Sequence, residues 1–375
     1  VSELPLAVSN TRFACALHDQ LRHTPGNLFV SPHSVSAALA MTLAGARGST
    51  RRAMATALSL AAIEELDPAF AALREQLSAC ESAARLDAPL ALKIANALWV
   101  DEGEPLAAEF VTRLREFYGA RAEALDFAAG EAARRRINAW VAECTEGEIA
   151  ELLSPGSVDG ASLVLTNAIY FLGTWARRFD PAKTQDREFW LDPETPVRVP
   201  TMSREGGFLV ARGPGWRAVE LPYVGEQLAM TLYLPEGELG EFEARLDPAW
   251  LRPALAPPPR GASVELRLPR FALSYDAELN EPLKALGMGE AFSSSADFSG
   301  MGPRGLFISI VQHAAEVRVD ESGTVAAAAT AVAMLRGRPP QPQIIAFDRP
   351  FFFVIRDRPT GAVLFMGRVV DPRSG

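Results

Sequence analysis

Cysteine is scarce in this chain of 375 residues. Cys15, Cys80 and Cys144 are odd in number and far apart. They spell no disulfide framework, no C-x-x-C pair and no zinc or redox site. All three are expected to be buried free thiols, behaving as small hydrophobes. No apolar run reaches the length of a membrane-spanning helix. No Asn-x-Ser/Thr sequon occurs, so a glycosylated secreted form has no support. Positive charge is the minority, with 37 Lys and Arg against 46 Asp and Glu and a net charge of −9. That argues against a nucleic-acid or anionic-membrane surface. The clustered Arg134, Arg135 and Arg136 read as a solvated helix face. The stretch 69–84 carries one Arg and two Glu.

Enzyme motifs are missing as well. There is no G-x-S-x-G and no H-E-x-x-H. Ser31, His33 and Ser34 are neighbours, but nothing supports them as nucleophile and base. Gly300, Gly302 and Gly305 spell G-x-G-x-x-G. However, SSSADFS precedes in place of a strand, and Pro303 with FISIV follows in place of a helix, so the match reads as chance. No metal or cofactor is expected. No Gly/Ser tract, charge block or repeat offers a place to cut the chain into domains. The opening VSELPLAVSN is no signal peptide, and a start without Met suggests that a leader or tag has been removed. The compartment, secreted or cytoplasmic, stays open.

What is present is helix signal first and strand signal later. Ser31 and Ser34 flank Pro32 ahead of an apolar run that stops near Gly45 and Gly48, a capped start and a glycine stop. Residues 104–118 place Leu106, Phe110, Leu114 and Phe117 at helical spacing. The run 163–172 is nearly all apolar, as a strand buried on both faces would be. Leu228, Met230, Leu232 and Leu234 recur every second residue. So do Val264, Leu266 and Leu268, and then Phe271, Leu273 and Tyr275. DRPTG at 357–361 reads as a turn. The fold class is α+β.

The most informative stretch is 319–338, VDESGTVAAAATAVAMLRGR. Past Gly323 come ten residues that are all Thr, Val or Ala. An alanine run is ordinarily helix. Here Thr324, Val325, Thr330 and Val332 are stiff and β-branched, which favours extended structure. Strand-like runs also flank it, at 306–319 and 343–347. One face of a strand would hold Thr324, Ala326, Ala328, Thr330 and Val332, none too large or charged to bury. Such a segment can exist as a loop or as a central strand.

Around that run the chain resembles the serpin family of serine protease inhibitors. DESGTVAAAAT resembles the serpin hinge, and SIVQHAAEVRVDESGT the strand that leads into it. FDRPFFFVIRDRPTGAVLFMGRVVDP resembles the C-terminal signature. NLFVSPHSVSAALAMTLAGARGST, INAWVAECTEGEIAELL and TNAIYFLGTW resemble the first core strand and helix, a later helix with its exit, and the N-Y-F-K-G-x-W stretch. The likenesses run in family order from about residue 10 to 372.

The resemblance implies one serpin domain over 1–375. A helix-rich first half would pack on a large central sheet, with further sheets and an exposed reactive-centre loop at about 321–342. It implies a hinge of Glu321, Gly323, Thr324, Ala326, Ala328 and Thr330. It implies a polar shutter of Ser31, Ser34, Asn167 and His313 under the sheet, and Trp175 at the breach where the loop enters. Capping by the serines, and ordinary core roles for His313 and Trp175, are the plain alternatives. The partner implied is a serine protease met by a monomer, which the cleaved loop traps by inserting. The reactive bond is expected at Arg336–Gly337, a trypsin-like site, with Gly337–Arg338 and Arg338–Pro339 as alternatives. The stretch 69–84 has little of the basic character that heparin-binding members carry there, so a heparin-type activator is not expected. Two rivals remain. One is a non-inhibitory serpin, carrier or chaperone, and Val325 stands where the family often has Glu. The other is a hydrolase of unknown type.

Overall fold

A computed structural model of the chain describes residues 5–82, 89–253, 255–257, 263–302, 305–324 and 342–374, with backbone only at 80–82 and 324. The strands are β1 (Leu28–Val30), β2 (Leu90–Asp101), β3 (Arg121–Leu125), β4 (Leu163–Thr174), β5 (Gln185–Trp190) and β6 (Pro196–Gly206). Next come β7 (Leu209–Gly213), β8 (Trp216–Pro222), β9 (Leu228–Pro235), β10 (Val264–Pro269) and β11 (Phe271–Glu278). The last are β12 (Ile308–Val319), β13 (Gly323–Thr324), β14 (Gln343–Ala346), β15 (Phe351–Asp357) and β16 (Val363–Val369). The first helices are α1 (Pro5–Leu21), α2 (Pro32–Gly45), α3 (Gly48–Ala57) and α4 (Leu66–Ser82), and α5 (Ala108–Arg113) and α6 (Gly130–Cys144) follow.

These strands form three sheets. The central sheet runs β11-β12-β4-β2-β3, with β13 added on β4. A second runs β1-β16-β15-β9-β8-β7, and a third runs β14-β10-β6-β5. The expected α+β arrangement is present, with most helices in the first half. Strand β4 is buried on both faces for nearly its whole length. Its apolar run makes that possible, and it takes the centre of the sheet. Helix α2 is buried almost all round and packs against β16, β4 and β2. It therefore fills the space between the central and second sheets, where Phe29 stacks on Phe365 with ring centroids 5.2 Å apart. On the outer face of the central sheet a smaller core gathers Trp99, Trp140 and Ile137 under α6.

Several local expectations shift. The helix expected over 104–118 begins at Ala108, because Ala107 is held extended with its amide donating to the Met301 carbonyl at 2.8 Å. It ends in a π-turn, Leu114–Tyr118, stopped by Gly119 at φ 63°. The strand expected from 306 begins at Ile308. Helix α4 begins at Leu66, ahead of the stretch 69–84. The alternation over 264–275 is two strands in different sheets: β10 lies in the third and β11 in the central one. The chain crosses between them at Arg270. Of the three arginines read as solvated, Arg134 is buried, because it bonds the carbonyl of Leu153 and pairs with Glu131. Cys15 and Cys144 are free and half-buried, less buried than expected. The Cys80 side chain lies outside the described residues. The Gly300 and Gly302 segment is a single 3-10 turn, with strand β12 beyond it and no helix to bind a phosphate.

Candidate functional site

Strand β12 runs parallel to β4 and pairs with it directly, from Ile308 opposite Leu163 to Glu316 opposite Tyr170. There the two part. The chain turns at Asp320, whose Oδ1 accepts from the Ser322 and Gly323 amides at 2.8 and 3.3 Å. It then returns as β13, antiparallel to β4, with Gly323 opposite Thr174 and Thr324 opposite Gly173. Gly323 sits at φ 145°, and a Cβ there would lie 2.1 Å from the Gly173 carbonyl oxygen. Only glycine permits so close an approach.

Two side chains pin this turn. Trp175 is buried and stacks on Tyr223, with ring centroids 4.6 Å apart. Its indole N–H donates to the Asp320 carbonyl at 3.0 Å, and its amide donates to Ser322 at 2.9 Å. Glu321 is buried and takes a fork from Arg270, Nε at 2.9 Å to both oxygens and Nη2 at 2.7 Å to one. The Thr184 hydroxyl also donates to it. Burial alone would raise the Glu321 carboxyl; the bonds from Arg270 and Thr184 outweigh it and hold the carboxyl below the usual range. The Glu321 carbonyl accepts from the Phe179 amide at 2.8 Å.

Beneath the sheet the four expected shutter residues come together, with Asn96 as a fifth. His313, Asn167 and Asn96 stand in register across β12, β4 and β2. His313 Nε2 accepts from the Ser31 amide at 3.2 Å. The proton is therefore on Nδ1, which donates to Asn167 Oδ1. Asn167 Nδ2 donates to both Ser34 Oγ and Asn96 Oδ1. Ser34 Oγ donates in turn to Asn96 Oδ1 at 3.3 Å. Ser31 Oγ donates to the Leu364 carbonyl at 2.7 Å and accepts from the Ser34 amide at 3.2 Å, so it also caps α2. Burial pushes His313 down to about 3, a neutral imidazole at physiological pH.

A hydrolase reading finds no machinery here. The hydroxyls of Ser31 and Ser34 donate to a carbonyl and an amide, not to an imidazole. His33 is buried beside Asn10, and burial lowers it to about 4. Among the described residues no cluster of His, Cys, Asp and Glu could hold a metal ion, and no helix is long and apolar enough to cross a membrane.

The hinge residues Glu321 and Gly323 and the backbone of Thr324 are placed. Ala326, Ala328, Thr330 and the bonds Arg336–Gly337, Gly337–Arg338 and Arg338–Pro339 lie outside the described residues. The loop begins on the central sheet and rejoins on the third, where β14 pairs parallel with β10. Asn96 and Arg270 were missed from sequence. Asn96 had a signal, as the one amide inside an apolar run of β2. Arg270 had a weaker one, a charge at the break between two alternating runs.

Residues 8–372 match the family described as "Serpin (serine protease inhibitor)". Bovine leukocyte elastase inhibitor is 40% identical over 382 residues, covering 98% of this chain and 99% of that protein. The crystal structure of Serpin48 from the insect Tenebrio molitor superposes with a TM-score of 0.86 at 30% identity, covering 98% of each chain. Human thyroxine-binding globulin, solved with its ligand, gives a TM-score of 0.86 at 30% identity, covering 98% of this chain and 99% of that one.

Proposed function

The chain belongs to the serpin family, and from that premise we propose that it inhibits a serine protease as a suicide substrate. It is a peptidase inhibitor and not an enzyme. In this reading residues 1–375 act as one domain with a reactive loop at about 321–342. The protease serine attacks the loop and is acylated by the residue before the cut. The freed loop then extends β13 between β4 and β12, burying Thr324, Ala326, Ala328 and Thr330 on its inward face. The protease is carried along and distorted before water can release it.

The observation that carries this reading is the pairing of Gly323–Thr324 with β4 above a seam where β12 and β4 bond directly. The first rungs of an added strand are in place. The seam below is a parallel pairing, slightly the weaker kind, and an inserted strand would replace it with two antiparallel ones. About ten new strand hydrogen bonds at roughly 1 kcal/mol each give on the order of 10 kcal/mol. That rivals the stability of a whole domain, so the intact form is held kinetically. A carrier role has less support, since no charged or bulky residue interrupts 324–333.

We assign the cut to Arg336–Gly337 and the target to the trypsin-like class. Arg336 offers a cation to an acidic pocket, with a small residue behind it. Gly337–Arg338 offers no side chain. Arg338–Pro339 places proline after the cut, which removes an N–H and restricts Arg338. The relatives' name favours a second reading, an elastase-type target that cuts after a residue within 332–335. Mixing the protein with trypsin and with elastase, then weighing the adduct and the released peptide, separates them. The assignment expects a denaturation-resistant adduct with trypsin and a peptide that begins at Gly337. An adduct with elastase alone, or a peptide beginning elsewhere, moves the site.

A further inference from the structure

A cavity of about 280 Å³ opens one residue past Trp175, between the chain at Ala176, the β6–β7 turn and Arg358. Its lining holds three arginines, Arg177, Arg204 and Arg358, and three glutamates, Glu205, Glu220 and Glu226, but they are unevenly paired. Arg356 and Arg358 share Glu220, at 2.6 and 3.1 Å, and Arg358 also reaches Glu226 at 3.8 Å. Those two arginines and two carboxylates neutralise one another. Glu205 is exposed and accepts from the Ser263 hydroxyl at 2.7 Å. It too lines the cavity, next to Arg204 along β6, and no ion pair joins it to Arg204 or Arg177 among the described residues. Arg177 and Arg204 remain, and among the described residues neither forms an ion pair.

Arg204 is held in place without an anion. Its guanidinium lies 4.9 Å from the Phe179 ring centroid and 4.5 Å from that of Phe208. The two rings flank it, and among the described residues its N–H donors have no protein acceptor. Burial, and then the like charge of Arg177, lower this guanidinium to about 10. A preorganised, partly desolvated arginine beside a second one costs free energy unless an anion joins them.

We propose that this cavity is a binding site for a small tetrahedral oxyanion, phosphate or sulfate, held by Arg204 from within and Arg177 from the rim. The site adjoins the hinge. Phe179, which supports the Arg204 guanidinium, donates its own amide to the Glu321 carbonyl. An occupied site ties the two cations to the segment that holds the hinge, whichever protease is the target.

The test is titration of the intact protein with inorganic phosphate, then with sulfate, against sodium chloride at matched ionic strength. A site raises Tm saturably, by roughly 2 °C or more, and slows hydrogen exchange at the Phe179 amide. Arg177→Gln lies on the exposed rim and tests the site without disturbing the core. It should weaken binding at least tenfold, and Arg204→Gln should abolish it. A linear, unsaturated rise that persists in both variants is the general effect of an excluded salt and overturns the proposal. So does calorimetry of the unmodified protein that detects no heat of binding for either ion.

Discussion

His313 on β12 and Asn167 on β4 stand opposite each other in register, and the imidazole Nδ1–H is bonded to the Asn167 amide oxygen. In the proposed mechanism these are the two strands that part for a new strand to enter. The bond therefore closes the seam in the intact form. Its donors and acceptors must find other partners when the seam opens, because buried polar groups left unpaired are costly.

Two of the buried histidines, His33 and His313, make stability depend on acid. His313 is lowered to about 3 and His33 to about 4, against an ordinary value of 6.5. Below 6.5 the unfolded chain binds protons that the folded one does not. Their contribution is complete above pH 6.5 and is lost as pH falls from there toward 3. At pH 5 each histidine should cost about 2 kcal/mol. Urea unfolding at pH 7.5 and pH 5 checks this, and His313→Gln should remove about half of the difference.

Glu321→Gln should loosen the hinge. The Arg270 end of the ion pair is half-exposed and the Glu321 end is buried. Screening at the exposed end brings the expected loss down to about 1–2 kcal/mol, below that of a fully buried pair. Because the same bonds hold β13 above the seam, the variant should also lose activity faster on warming, through premature insertion. Arg270→Lys, which keeps the charge but not the fork, should fall between the two. The check is the half-life of inhibitory activity at a fixed temperature.

Ala328→Pro and Thr324→Arg should each turn the inhibitor into a substrate. Proline removes a ladder N–H and is excluded from central strands. Arginine at Thr324 would bury a charge on the inner face. Insertion slows, and water releases the protease first. The moles of inhibitor consumed per mole of protease stopped should rise several-fold. An unchanged stoichiometry in either variant would mean that the register of the inserting strand is different.

Much of this was legible in the sequence, for identifiable reasons. β4 announced itself because a strand buried on both faces must be apolar throughout. α2 did so because Ser31, Pro32 and Gly45 punctuate it. The cluster of Ser31, Ser34, Asn167 and His313 was expected through family resemblance, and its wiring was not. Nothing local places Asn96 beside Asn167, since that contact depends on the pairing of strands 71 residues apart. Arg270 was hidden for the same reason. The alternation over 264–275 slips by one residue at Arg270, but nothing in that slip says that the strand changes sheets between Pro269 and Phe271 and so brings the guanidinium to Glu321. The cavity at Arg204 is longer in range still, built from four separate stretches of chain.

The central claim is that the loop is a strand kept out of its sheet. The most direct measurement is the melting temperature of the intact protein beside that of the same protein cut once in the loop by a protease it does not trap. A nick ordinarily loosens a fold. Here the cut should release the loop to extend β13 along β4 and raise Tm sharply. A cut form that melts at the same temperature or lower would contradict insertion, and with it the inhibitory mechanism.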